Sequence, residues 1–203
     1  MKKITILFFL VFLLSGVPAQ AYDYDYFGTM QYHNDVLRFD FSVSTAGERT
    51  FFSSSWDDGG FDPMLGLWDA SGTLIYFQDD GGVTGVQESN GVSYDYAGWD
   101  SFYTVMLNPG SYFLTLTTYN NFNVSEAYSD GFDFDGTTPI LVSEWDQPAN
   151  GLRNDSYAFH ILNVDTASGP GETPPVPEPS TVVLLIAGLA GCLVFGRKRF
   201  LKA

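Results

Sequence analysis

Leu37-Arg38-Phe39-Asp40-Phe41-Ser42-Val43 alternates apolar and polar residues without a break, and this stretch decides the fold class. A period of two puts Leu37, Phe39, Phe41 and Val43 on one face, as in a strand with one buried side. Similar segments recur on either side of it. Met64 to Trp68 and Leu74 to Gln78 flank Asp69-Ala70-Ser71-Gly72 and are predicted to pair as a hairpin. Phe102 to Leu107 and Ser111 to Tyr119 flank Asn108-Pro109-Gly110, where proline and glycine supply tight-turn geometry. Ile140 to Trp145 and Tyr157 to Val164 are further strand candidates. No window outside the two ends shows a convincing helical period. Residues 22–167 are therefore predicted to form an all-β domain, an antiparallel β-sandwich of jelly-roll-like type.

The chemistry of that segment is lopsided. From Tyr22 to Val176 there are 23 acidic residues against three arginines and no lysine, a formal charge of −20. Such a surface repels nucleic acid and anionic headgroups and attracts cations. Abundant Phe, Tyr and Trp argue for a packed core rather than for disorder. The single cysteine, Cys192, lies outside the domain, so no disulfide staples it.

The ends are of a different kind. Residues 1–21 carry Lys2 and Lys3, an apolar run from Ile4 to Leu14, and Ala19-Gln20-Ala21, the three parts of a secretory signal peptide. Residues 168–180 form a Pro/Gly-rich linker, residues 181–196 an uncharged apolar helix, and residues 197–203 a basic tail. At about 1.5 Å per residue that helix reaches roughly 24 Å, short of a hydrocarbon core of roughly 30 Å. The basic clusters at both ends place the intervening domain on the far side of the inner membrane.

Val176-Pro177-Glu178-Pro179-Ser180-Thr181, the apolar helix and Arg197-Lys198-Arg199 together closely resemble the PEP-CTERM sorting signal of Gram-negative bacteria. The resemblance implies that an exosortase-type membrane protease recognises Pro177, Glu178 and Pro179. It further implies an inner-membrane precursor that moves to the outer surface or extracellular matrix once its tail is removed. A second resemblance lies inside the domain. Phe61-Asp62-Pro63-Met64-Leu65-Gly66-Leu67-Trp68-Asp69, followed by Gly72, Leu74 and Asp79-Asp80-Gly81, looks like the core motif of bacterial pre-peptidase C-terminal-like domains. Those are β-sandwich modules appended to secreted proteins, which implies an accessory or binding role.

Catalytic motifs are mostly missing. The exported segment has no Cys and no Lys, and His33 and His160 fit neither HExxH nor a G-x-S-x-G elbow. Ser, His and Asp all occur, but nothing in the sequence places them together. We therefore expect no catalytic residues. The leading expectation is a non-catalytic surface or matrix protein contributing adhesion or polysaccharide association. A secreted carbohydrate-active hydrolase using acidic residues, or a purely structural envelope component, are the alternatives.

The sharper signal is a pair of matching loops, Asp57-Asp58-Gly59-Gly60 and Asp79-Asp80-Gly81-Gly82. With Asp69 to Gly72 as the turn, Trp68 pairs near Thr73 and Pro63 near Gln78. Asp62 and Asp79 then lie side by side at the end away from the turn, with both loops beside them. Crowded carboxylates repel unless they are solvated, protonated or bridged by a hard cation. Asp57, Asp58, Asp62, Asp79 and Asp80 are thus the candidate ligands, and calcium the candidate ion. Asp133-Phe134-Asp135-Gly136 fails an EF-hand alignment, because Gly131 and Val142 would fill its first and last ligand positions. Tyr22, Tyr24, Tyr26, Tyr94, Tyr96 and Trp99 are candidate sugar-stacking aromatics. The alternating Tyr-Asp run reads equally as a first strand.

Overall fold

The structure, a computed structural model, describes residues 21–148 and 150–172. The expected signal peptide, the Pro177-Glu178-Pro179 motif, the apolar helix and the basic tail lie outside the described residues. The strands are β1 Tyr22–Thr29, β2 Leu37–Val43, β3 Gly47–Ser53, β4 Pro63–Asp69, β5 Leu74–Gln78, β6 Gly85–Ser89 and β7 Val92–Tyr96. They continue as β8 Phe102–Leu107, β9 Gly110–Thr118, β10 Asp146–Gln147, β11 Gly151–Leu152, β12 Ser156–Val164 and β13 Thr166–Ser168. Every ladder is antiparallel.

Two larger sheets result, one ordered β1-β12-β3-β8 and the other β13-β2-β9-β4-β5. The inward positions of β2 meet β3 and β12 across the interior: Phe39 lies 4.6 Å from Phe159 and Phe41 lies 5.2 Å from Phe51, ring to ring. Leu65, Leu67, Leu114, Leu116 and Ile161 complete one shared core. An all-β, antiparallel chain with a core drawn from both sheets is consistent with the expected sandwich. Burying such aromatic and branched side chains contributes roughly 1.5–3 kcal/mol each, which is what holds the layers together.

Each sheet also carries a small cluster on its outer face. The β6–β7 hairpin folds Tyr94 over Phe52 and Leu162. On the other sheet, Trp68, Phe113 and Phe132 pack together. Gly66 makes room for that indole, since a Cβ there would meet Trp68 Nε1 at 2.8 Å and Thr115 Oγ1 at 2.7 Å. The indole N–H donates to Thr115 Oγ1 at 3.0 Å.

Three expectations need correction. Ile140 to Trp145 is not a strand; Leu141 makes only an isolated antiparallel bridge to Tyr32, after which Val142–Glu144 turns as a short 3₁₀ segment closed by Trp145 N–H donating to Val142 O, so no ladder continues. The β4–β5 register places Leu65 opposite Gln78, where Pro63 was expected. A bulge between Leu67 and Trp68 skips Ile75, so Leu65 to Leu67 slip by two residues from the expected register and Trp68 by one, opposite Leu74 rather than Thr73. Finally, the domain extends past residue 167: Ser168 pairs with Asp40, and Gly169 N–H donates to Glu172.

Candidate functional site

Asp62 sits directly before β4 and is 2% exposed. Its backbone is fixed from two sides: its N–H donates to Gln147 Oε1 at 3.1 Å, and its carbonyl accepts from Tyr119 N–H at 2.8 Å. Asn150 Nδ2 donates to Asp62 Oδ2. Asp79 and Asp80 follow β5, their carbonyls held by the Ser101 hydroxyl and the Gln78 amide respectively. The three carboxylates converge, with one oxygen from each lying within 4.8 Å of the others. Asp62 Oδ1, Asp79 Oδ1 and Asp80 Oδ1 are all buried and accept no hydrogen bond among the described residues.

That arrangement is electrostatically strained. Burial pushes the Asp62 carboxyl up to about 7, and the neighbouring charges of Asp80 and Asp79 add to the rise. The Asn150 hydrogen bond and the Arg153 charge offset only part of it. Asp79 is pushed up to about 6 by burial and by Asp80, and Asp80 is raised by burial. Once ionised, three carboxylates whose Oδ1 atoms meet no protein donor suit a hard cation that takes oxygen ligands in irregular geometry, as calcium does.

Asp57 and Asp58 do not join this cluster. Their segment makes its own turn, with Gly59 N–H donating to Trp56 O at 3.0 Å and Gly60 N–H to Ser55 O at 2.9 Å. Arg153 donates to Trp56 O and Gly60 O, and Asn154 Nδ2 to Asp58 O. Asp57 and Asp58 therefore point outward and, with Ser54, Asp95, Tyr96 and Asp100, line an open groove of about 630 Å³. Trp56 stacks on Trp99 at 5.5 Å, and the Arg153 guanidinium lies 3.4 Å over the Trp56 ring. Trp99 remains 47% exposed.

Asp100 ties the groove to the three aspartates, and sequence reasoning missed it. The carboxylate is 1% exposed. Its Oδ1 accepts from Ser53 Oγ at 2.8 Å, Ser55 N–H at 3.1 Å and Trp56 N–H at 3.3 Å, while Oδ2 accepts from Ala97 N–H at 2.9 Å. Its carbonyl accepts from Gly81 N–H at 2.7 Å, and Gly82 N–H donates to Gly98 O at 3.0 Å. Only an Asp within a Gly-Trp-Asp-Ser run hints at this role.

The remaining candidates are structural. Asp69 lies at the opposite turn, where Oδ1 accepts from Ser71 N–H at 2.8 Å and Thr73 N–H at 2.9 Å. Tyr24 and Tyr26 belong to the first strand and pack against the core, and Tyr94 is buried under its hairpin. Of the expected stacking aromatics, Tyr96 lines the groove, Trp99 stands exposed beside it, stacked on Trp56, and Tyr22 is exposed at the start of the first strand. His33 packs between Phe134 and Trp145, each 5.1 Å away.

Residues 175–199 match the family model of the PEP-CTERM protein-sorting motif. The motif implies an exported, membrane-passing precursor processed by exosortase, a membrane protease. No curated protein matches the chain. No helix among the described residues is long and apolar enough to cross a membrane. Mass spectrometry of the surface fraction from the native host is expected to find Tyr22 at the N-terminus and no peptide from Arg197 onward. An intact tail in that fraction would contradict the processing.

Proposed function

We propose that the exported domain is a surface or extracellular-matrix module that associates with neutral polysaccharide through the groove beside Trp99. In this reading calcium, held by Asp62, Asp79 and Asp80, fixes one wall of that groove. The observation that carries it is the direct coupling of the two features. Gly81 and Gly82, which follow two of the aspartates, donate to Asp100 and Gly98, which bracket Trp99.

The chemistry fits a sugar. Carboxylates such as Asp57, Asp58 and Asp95 accept hydrogen bonds from vicinal hydroxyls, and an exposed indole offers an apolar face to a pyranose ring. The groove's negative charge disfavours acidic glycans. Affinity electrophoresis through gels containing neutral polysaccharides is the test. Retardation is expected in millimolar calcium and should fall at least about tenfold in affinity in chelator or with Trp99→Ala, the loss of about 1.4 kcal/mol. Phe27→Ala, an exposed residue on β1, should leave it unchanged. Equal migration of wild type and Trp99→Ala in every gel would end this reading.

A further inference from the structure

Asp25, His160 and Ser54 form one hydrogen-bonded line on the outer face of the first sheet. Strand alternation puts them there: Phe159 and Ile161 point into the core, so His160 points out, directly opposite Asp25 on β1. The His160 ring stacks on Phe52 at 4.6 Å, lies 4.9 Å from Tyr94 beneath the β6–β7 hairpin, and is 3% exposed. Nδ1 lies 2.7 Å from Asp25 Oδ1, and Nε2 lies 2.8 Å from Ser54 Oγ.

The tautomer follows from the partners. Burial pushes the imidazole's pKa down, so the ring is neutral near pH 7, and a carboxylate only accepts. Nδ1 therefore carries the proton and donates to Asp25. Nε2 is left to accept from the Ser54 hydroxyl. Ser54 is half-buried and lines the groove. A nucleophile, a base and a group orienting the base, opening on a groove, is the arrangement of a serine acyl-transfer site.

We propose that Ser54 is the nucleophile of a Ser54–His160–Asp25 relay that hydrolyses neutral carboxylic esters bound in the acidic groove. This rests on the groove being a ligand site, as proposed above, and goes beyond the expectation of no catalytic residues. Ser54 Oγ bonds to the ester carbonyl carbon as its proton passes to His160 Nε2. The ester C–O bond then breaks, and the leaving alcohol takes that proton, leaving an acyl group on Ser54. Water attacks the acyl carbon and gives its proton to Nε2, which returns it to Ser54 Oγ as the acid departs. No oxidant or reductant is needed. Asp57, Asp58 and Asp95 exclude anionic esters and repel the carboxylate product.

The rate should be modest. The backbone N–H groups of Ser54, Ser55 and Trp56 donate to Ala158 O and Asp100 Oδ1, so these three do not stabilise an oxyanion. Esters with good leaving groups depend least on that stabilisation. The full chain, purified in detergent, is tested on p-nitrophenyl acetate at pH 8 and with a fluorophosphonate probe, which bonds serine oxygen with loss of fluoride. Ser54→Ala and His160→Gln are each expected to lower turnover by about 10²-fold, the lower end of what a positioned base contributes. Probe is expected on the Ser54 peptide in wild type and in neither variant. Ser54→Ala leaves the buried Nε2 without its donor, so a small fall in melting temperature is expected, and turnover is compared well below both melting transitions. Wild-type turnover equal to that of Ser54→Ala, or no probe on Ser54, would overturn the relay. Polysaccharide retention with no turnover would sink the relay alone, and turnover with no retention would sink the binding reading alone.

Discussion

Replacing the buried carboxylate of Asp62 by an amide is expected to stabilise the domain in chelator at pH 8 and to remove most of its response to calcium. The sign follows from proton linkage. In the metal-free fold Asp62 keeps its proton up to about pH 7, whereas the unfolded chain loses it near the ordinary value of 3.8. Between those values the folded state binds more protons, so stability falls as pH rises, and the loss is complete above pH 7. Each unit of displacement is worth about 1.4 kcal/mol, so the penalty at pH 8 is roughly 4 kcal/mol. The amide of the Asp62→Asn variant never carries the charge. The two histidines run the other way, because burial lowers the pKa of His33 and His160 and their stabilisation grows as pH rises. The informative quantity is therefore the difference between wild type and Asp62→Asn, measured by thermal melting in chelator at pH 5 and pH 8. At roughly 2–4 °C per kcal/mol for a domain this size, the variant should melt about 10 °C higher at pH 8 and only about 5 °C higher at pH 5, where the penalty has fallen to roughly 1.6 kcal/mol.

Calcium should close most of that gap. Binding to the folded state alone adds about 2.7 kcal/mol at a hundred times the dissociation constant and about 4.1 kcal/mol at a thousand times, which offsets a penalty of roughly 4 kcal/mol. Wild type should gain in millimolar calcium at pH 8 and gain less at pH 5, where protons compete. Asp79→Asn with Asp80→Asn should abolish most of the gain. Asp69→Asn, and Asp57→Asn with Asp58→Asn, should leave it intact. Identical wild-type curves in calcium and chelator would mean that the three carboxylates bind no ion.

How much of this was visible in the sequence depends on which faces of each strand are covered. β2 has one solvated face, so alternation located it to the residue, and β8 was found within the same bounds. β3 was missed because it does not alternate. Thr50, Phe51, Phe52 and Ser53 are all buried, one face in the shared core and the other under the β6–β7 hairpin. The hairpin itself carried a signal that went unused. Asn90-Gly91, with φ of 48° and 82°, is the dipeptide a type I′ turn requires.

The candidate site was legible for the same local reason. Two strands joined by a short turn bring their outer ends together, so Asp62 met Asp79 and Asp80 even though the register slipped. Asp57 and Asp58 escaped because Arg153 and Asn154, nearly a hundred residues away, hold their turn in place. The Ser54–His160–Asp25 line joins residues 106 and 135 positions apart, and only the completed sheet makes it.

Asp100→Ala is expected to be the most damaging single substitution near the groove, costing about 3–5 kcal/mol. Removing its carboxylate leaves the N–H groups of Ser55, Trp56 and Ala97 and the hydroxyl of Ser53 facing a cavity that alanine cannot fill. A buried donor left without a partner costs about 1–3 kcal/mol, and this change strands several at once, though relaxation and entering water will recover part of the sum. Asp100→Asn separates hydrogen bonding from shape. Its carbonyl oxygen can take the three donors that converge on Oδ1, but its NH₂ then faces Ala97 N–H, donor against donor, so roughly half the loss should remain. Urea denaturation of the three proteins, followed by tryptophan fluorescence, measures both. Trp56 is anchored by Asp100 through its own N–H and stacks on Trp99, so the native emission of Asp100→Ala should also shift towards that of exposed indole. A loss below about 1 kcal/mol with unchanged emission would mean that the Ser53–Trp56 turn holds its shape without the carboxylate. The coupling between the three aspartates and the groove would then need another carrier.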